Sequence, residues 1–216
     1  MSKLQLPQAF GIEEFTKATR VSHETAVRLK AYVAMLRLWN RQRNLVSDAS
    51  LAGVWHRHVY DSAQLVPLLP ADARSVVDIG SGAGFPGLVI AIMRPDIETV
   101  LFEATRKKAE FLKAVGEHLS LKRLQVRNER AEAAPRRVFD VVTARACAPL
   151  PELLGYAQDF IGPRTVCLFL KGQNVVLELT DARKSWRMTA RQHPSVTHPF
   201  GAVLEIRDLS HGSIRA

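Results

Sequence analysis

Val76–Gly87, VVDIGSGAGFPG, sets an apolar run against one aspartate and four glycines within twelve residues. Val76, Val77 and Ile79 around Asp78 read as a buried strand, and Pro86 stands where a helix begins. Glycines at such a junction let the backbone turn sharply and approach a ligand with no side chain in the way. Gly82, Gly84 and Gly87 satisfy G-x-G-x-x-G, so a dinucleotide loop is the literal match. The free N–H groups of a helix start, however, suit a carboxylate as well as a phosphate.

The charge of Asp78 separates these ligands. A carboxylate at the strand end, two residues before Gly80, repels a pyrophosphate but can hold an ammonium group. S-adenosylmethionine carries an amino acid with both charges and no phosphate. Its ammonium suits Asp78, and its carboxylate suits the loop at Gly80, Gly82 and Gly84. Glu103 ends the next strand about twenty residues on, where a carboxylate accepts ribose hydroxyls in either cofactor class, so it does not discriminate.

Beyond the loop, residues 71–216 alternate short β-branched runs with amphipathic helical stretches, the rhythm of βαβ units and a parallel sheet. Strands are predicted at 75–80, 99–104, 124–128, 139–145 and 165–171, with helices at 86–93, 106–118, 150–160 and 174–184. The last two strands, 188–193 and 202–208, are separated only by PSVTHPFG and must pair antiparallel. The expected fold is therefore α/β, a Rossmann-like class I S-adenosylmethionine-dependent methyltransferase with a mostly parallel seven-stranded sheet. Little chain remains for the substrate domain of a dehydrogenase. Residues 1–70 read as an N-terminal helical extension: Leu29, Tyr32, Val33, Leu36 and Trp39 mark one apolar face, Ser22 is an N-cap, and WHRHVYDSAQLVPLLP adds a second amphipathic segment.

With 216 residues and 47% hydrophobic content, the chain can bury a sizeable core. No apolar stretch reaches 18 uncharged residues, and MSKLQLPQAF lacks the pattern of a signal peptide, so a soluble, cytoplasmic protein with no membrane association is expected, by default a monomer. Cys147 and Cys167 lie in apolar segments without zinc-site spacing and read as free thiols. His56 and His58 lack further nearby ligands, so no metal is expected. Thirty Lys and Arg against 21 Asp and Glu give a net charge of +9, a field that attracts polyanions. The excess is clustered at Arg37, Arg41 and Arg43, at Arg106–Lys108, at Lys122 and Arg123, at Arg127 and Arg130, and at Arg136 and Arg137.

DIGSGAGFPG, LFEATRKKAEFL, FDVVTARACAPL and LKG, together with the upstream LRLWNRQRNLV and RHVYDS, resemble the glucose-inhibited division protein B family, bacterial methyltransferases acting on a guanine N7 of small-subunit ribosomal RNA. The matches run in order from about Tyr32 to Gly172; the stretch after Lys184 carries little of the resemblance. The resemblance implies S-adenosylmethionine as donor, S-adenosylhomocysteine as product, and 16S rRNA or the 30S subunit as partner. It also implies donor contacts at Gly80, Phe85, Glu103, Ala104, Thr105, Ala131, Glu132 and Arg145.

Guanine N7 has an exposed lone pair, so methylation requires no proton removal and no catalytic base. Placement of N7 about 3 to 3.5 Å from the methyl carbon supplies the acceleration. Arg145, at the end of the fourth strand, is the candidate catalytic residue. A bidentate grip on O6 and N7 would occupy the atom to be methylated. A contact to the donor carboxylate, to O6 alone or to a phosphate fits, as does a strand-end ion pair. His58, Asp61 and Ser62 either close over the site or cap a helix. Two alternatives are weighed against this: a cytosine-C5 methyltransferase using Cys147 as nucleophile, although RACAPL lacks the usual proline before the cysteine, and a non-catalytic RNA-binding protein. The Asn/Asp-Pro-Pro-aromatic signature of exocyclic-amine methyltransferases is replaced by TARA.

Overall fold

The computed structural model describes residues 10–212. The decapeptide read for a signal sequence lies almost wholly outside the described residues, as do the first nine residues of the extension.

One seven-stranded sheet runs in the order β3-β2-β1-β4-β5-β7-β6. β1 (Ser75–Ile79), β2 (Glu98–Phe102), β3 (Leu124–Arg127), β4 (Val141–Arg145) and β5 (Val166–Lys171) are parallel, while β7 (Ala202–His211) lies antiparallel to both β5 and β6 (Trp186–Pro194). β1 and β4 are buried almost throughout, as central parallel strands covered on both faces must be. Asp140 pins their N-terminal ends together, its Oδ2 accepting from the Arg74 and Ser75 N–H groups and from the Ser75 hydroxyl. The chain leaves β1 toward β2 on one side and later returns to β4 on the other, so the carboxyl ends of β1 and β4 flank the topological switch point. Ligands of doubly wound sheets bind there.

The N-terminal extension folds onto one face of the sheet. α1 (Ile12–Thr19) and α2 (His23–Arg43) bury Phe15, Leu29, Tyr32, Val33 and Leu36 against Phe85 and Leu88 of the glycine loop and α5 (Gly87–Met93), and against Phe111 of α6 (Arg106–His118). Ser22 caps α2 as expected, its hydroxyl accepting from the Thr25 N–H at 3.2 Å. The extension and the sheet thus share one core. On the opposite face α7 (Leu150–Ala157) and α8 (Val175–Ala182) pack over β4 and β5.

One local difference from the sequence pattern matters for the site. After the short α3 (Asp48–Ala52), Trp55–Tyr60 winds as a π-turn before α4 (Asp61–Ala63), with the Asp61 N–H reaching back to the His56 carbonyl. Apolar spacing cannot distinguish this wider turn from an α-helix. Such turns are rare and often lie at functional sites.

Candidate active site

The glycine loop is held from three directions. The Ser81 N–H bonds the Phe102 carbonyl at the end of β2 (2.9 Å), and the Tyr32 hydroxyl donates to the Ala83 carbonyl (2.6 Å). Below the loop, Asp78 binds its exit. Gly84 has φ +107, and a Cβ there would fall 2.9 Å from the Tyr32 hydroxyl and 2.8 Å from Leu88. At Gly80, φ is +68 and a Cβ would strike the Cys147 sulfur at 2.8 Å. Only glycine lets the loop lie this close to the helical extension on one side and to the segment after β4 on the other.

Asp78 lies beneath the loop. Its carboxylate is fully buried and does not line the cleft; Oδ2 accepts the Gly87 N–H at 3.1 Å and Oδ1 accepts the Thr143 hydroxyl at 2.8 Å. The first N–H of α5 is thereby turned inward to an acid of the chain itself, instead of standing free for an anion. Burial pushes the Asp78 carboxyl up to about 6, against the hydrogen bonds that favour its charged form.

Glu103 is 6% exposed and lines the cleft. Its Oε2 accepts the Gly82 N–H (2.8 Å) and its Oε1 the Thr105 N–H (2.7 Å), which fixes the carboxylate while leaving lone pairs for further donors. Asn128 locks the backbone behind it, its amide donating to the Glu103 and Ala104 carbonyls.

Around these groups lies a cleft of about 350 Å³ lined by Gly80, Gly82, Phe85, Glu103 and Arg145 of the sequence-selected residues, a volume within the range of small-molecule sites. His58, Ser81, Ala83 and Ala146 line it too, as do Leu45, Val46 and Lys108, whose place within LRLWNRQRNLV and LFEATRKKAEFL is their sequence signal. Gly84 faces the helical extension instead. Ala104 and Thr105 are exposed just beyond Glu103. Ala131 and Glu132 lie off the cleft wall in a short 3-10 turn after β3: Ala131 is turned into the core, and Glu132 stands in solvent 3.7 Å from Arg130.

Arg145 is gripped by the extension. Its guanidinium donates to the Arg57 carbonyl (3.0 Å), pairs with Asp61 (3.4 Å) and lies over the Phe85 ring, 5.1 Å from the centroid. Phe85 is also stacked on by His58, whose ring is 4.7 Å away and nearly parallel, and whose Nε2 bonds the Ser50 hydroxyl. Burial, helped by the charges of Arg145 and Arg57, pushes His58 down to about 3, so the ring is neutral near pH 7. Asp61 also accepts the Thr197 hydroxyl at 2.5 Å, and the Val196 N–H bonds Gln64, which docks the β6–β7 loop onto the extension. Ser62 donates to the His58 carbonyl within its own helical stretch. Asp61 and His58 therefore reach the site, while Ser62 is local.

Arg145 and Ala146 also line a second, larger cleft of about 880 Å³ together with Arg57, Lys171, Glu178 and His198. Cys147 lines it too, but partial burial and the nearby charges of Asp78 and Glu132 push its thiol up, the reverse of what a nucleophilic thiolate needs. Among the described residues no three His, Cys, Asp or Glu side chains gather as a metal set, and no helix is long and apolar enough to cross a membrane. Of the basic clusters, Arg43 and Arg106 share Glu110, Arg127 pairs with Glu129 and Arg137 with Glu98, whereas Arg37, Arg41, Lys122, Arg123 and Arg136 are exposed.

A solved S-adenosylmethionine-dependent methyltransferase from Aquifex aeolicus superposes with a TM-score of 0.57 at 15% identity, over 78% of this chain and 98% of its own, which shows the shared fold. The chain is 46% identical over 211 residues to ribosomal RNA small subunit methyltransferase G of Parvibaculum lavamentivorans, covering 95% of this chain and 92% of that protein. The corresponding protein of Rhodospirillum centenum is 45% identical over 212 residues, with 97% of each chain covered. The family model described as GidB, rRNA small subunit methyltransferase G, matches residues 25–205. The chain belongs to this GidB family of ribosomal RNA small subunit methyltransferases.

Proposed function

We propose that the chain transfers a methyl group from S-adenosylmethionine to N7 of one guanine in small-subunit (16S) ribosomal RNA, leaving S-adenosylhomocysteine. The observation that carries this reading is the junction of two clefts at Arg145 and Ala146: a small one built from the glycine loop and Glu103, and a large one lined by Arg57, Arg145 and Lys171. The bound donor supplies a methyl group on a positively charged sulfur. Gly80, Gly82 and Phe85 line its place and Glu103 presents carboxylate lone pairs for ribose hydroxyls; Ala104 and Thr105 follow directly on Glu103, and Ala131 and Glu132 are assigned to the donor by the family resemblance alone. Asp78 serves the donor indirectly, by bracing the loop exit at Gly87.

The guanine enters from the larger cleft. Arg145, held by Asp61 and Arg57, offers its guanidinium to O6 or to a phosphate and leaves N7 free. No group has to take a proton, which agrees with the weak basicity of His58, pushed down to about 3, and with the raised thiol of Cys147. Positioning is thus the chemistry the protein supplies. The net charge of +9 favours an RNA partner, and ribosomal RNA as substrate supports a cytoplasmic location. Labelled methyl donor incubated with small subunits lacking the modification tests the reading: label must enter 16S rRNA, and its absence there argues against it.

A further inference from the structure

The segment between Arg145 and α7 forms the wall that the two clefts share, and nothing within it explains its shape. Ala146 holds φ +48, a left-handed backbone that a non-glycine residue keeps only where its surroundings impose it. Cys147, next in line, leans on Gly80 across the cleft mouth.

Two groups that hold the segment lie on β5 and α8. Lys171, the last residue of β5 and the lysine of the LKG motif, is 7% exposed at its side chain; its Nζ donates to the Ala148 carbonyl and to Glu178 Oε2, both at 2.8 Å. The same Glu178 oxygen accepts the Leu150 N–H, the first of α7, at 2.8 Å. One ion pair therefore grips the segment at a carbonyl before Pro149 and at an N–H after it. Removing one partner of this pair, 7% and 25% exposed at the two side chains, leaves the other charge in the wall largely uncompensated, so the segment cannot relax without cost.

We infer that Lys171 and Glu178 are positioning residues: their ion pair clamps residues 146–149 and so sets how the acceptor guanine meets the donor. The catalytic part of this inference rests on the proposed methyl transfer; the clamp itself does not. Because Lys171 and Glu178 stand on the acceptor side, loosening them disturbs the transfer step and leaves donor affinity nearly unchanged. Cys147 reports the segment directly. It is the exposed thiol of the two, Cys167 being buried in β5, where burial pushes it up to about 12.

The test compares wild type, Lys171→Met and Glu178→Gln as full chains, with three readouts: kcat at saturating donor and small subunits, donor Kd by calorimetry, and the rate of Cys147 modification by a chromogenic disulfide reagent. The clamp predicts a fall in kcat of at least about tenfold with donor Kd within about threefold, and a rise in the Cys147 rate of at least about fivefold. Glu178→Gln keeps an oxygen for the Leu150 N–H and carries the test alone if Lys171→Met does not fold. A Cys147 rate within twofold of wild type in the folded variants overturns the clamp, and a fall in kcat without that rise assigns Lys171 to direct acceptor contact instead. Equal losses of kcat and donor affinity overturn the acceptor-side role. If wild type itself methylates nothing, the functional reading fails while the Cys147 rates still decide the clamp.

Discussion

Tyr32 on α2 donates its hydroxyl to the carbonyl of Ala83, 51 positions later and in the glycine loop itself. The extension therefore does more than cover the sheet: it holds the glycine loop through a fully buried hydrogen bond. Tyr32→Phe leaves that carbonyl without its partner in a packed interior. The expected cost is about 1–3 kcal/mol of stability in urea denaturation, with a several-fold weaker donor Kd. Unchanged donor affinity would confine Tyr32 to packing.

Asp78 and His58 tilt the stability curve in opposite directions. Native Asp78 keeps its proton up to about pH 6, against an ordinary value of 3.8, so the stability it contributes is complete below about 3.8 and lost as pH rises through about 6. His58, pushed from 6.5 to about 3, contributes above about 6.5 and loses that contribution as pH falls toward 3. Relative to wild type, Asp78→Asn must gain stability as pH rises from about 4 to about 6, by up to ~3 kcal/mol. His58→Gln must gain it as pH falls from about 6.5. Difference curves parallel to the pH axis in both variants would contradict the burial assigned to these groups.

These two residues also mark the boundary of what the sequence discloses. The strands, the helices and the glycine loop follow from alternation, helical spacing and turn chemistry, which are local. Whether a strand-end acid faces the ligand or the helix start depends on how the loop curls over it, and at Asp78 the loop turns Gly87 inward. The partners of Arg145 are 84 and 88 residues away, and Thr197 is 136 from Asp61. Such pairings come from the topology of the sheet and the docking of the extension, and no spacing rule contains them. The π-turn at Trp55–Tyr60, which precedes Asp61, is likewise invisible to a pattern of apolar residues.

Asp61 joins Arg145 to Thr197, so removing its charge frees both the guanidinium and the β6–β7 loop. Asp61→Asn is expected to lower kcat by about tenfold, and Arg145→Ala by about a hundredfold or more, in methyl transfer at saturating donor. If the two variants are additive in the double mutant, Arg145 does not act through Asp61.

Cys147→Ser discriminates between attack through the base nitrogen and covalent attack by the enzyme. With its thiol pushed up by burial and by Asp78, Cys147 is not expected to serve as a nucleophile, and the serine variant retains activity within about tenfold of wild type. Trapping of a protein–RNA adduct at Cys147 would reverse that assignment.

RNA affinity should fall steeply with ionic strength, because exposed cations such as Arg37, Arg41 and Lys122 displace counterions from phosphates. Titration of a labelled 16S fragment at several salt concentrations reads the slope directly; a flat profile would remove the electrostatic part of the account.

The methyl acceptor is one atom, guanine N7. Small subunits lacking the modification, incubated with the protein and S-adenosylmethionine, are digested to nucleosides and the methylated product is identified by mass spectrometry, with its position mapped by strand cleavage at N7-methylguanine. A single N7-methylguanosine in 16S rRNA is expected. Methyl at cytosine C5, at an adenine amine, or at any other guanine atom would contradict it.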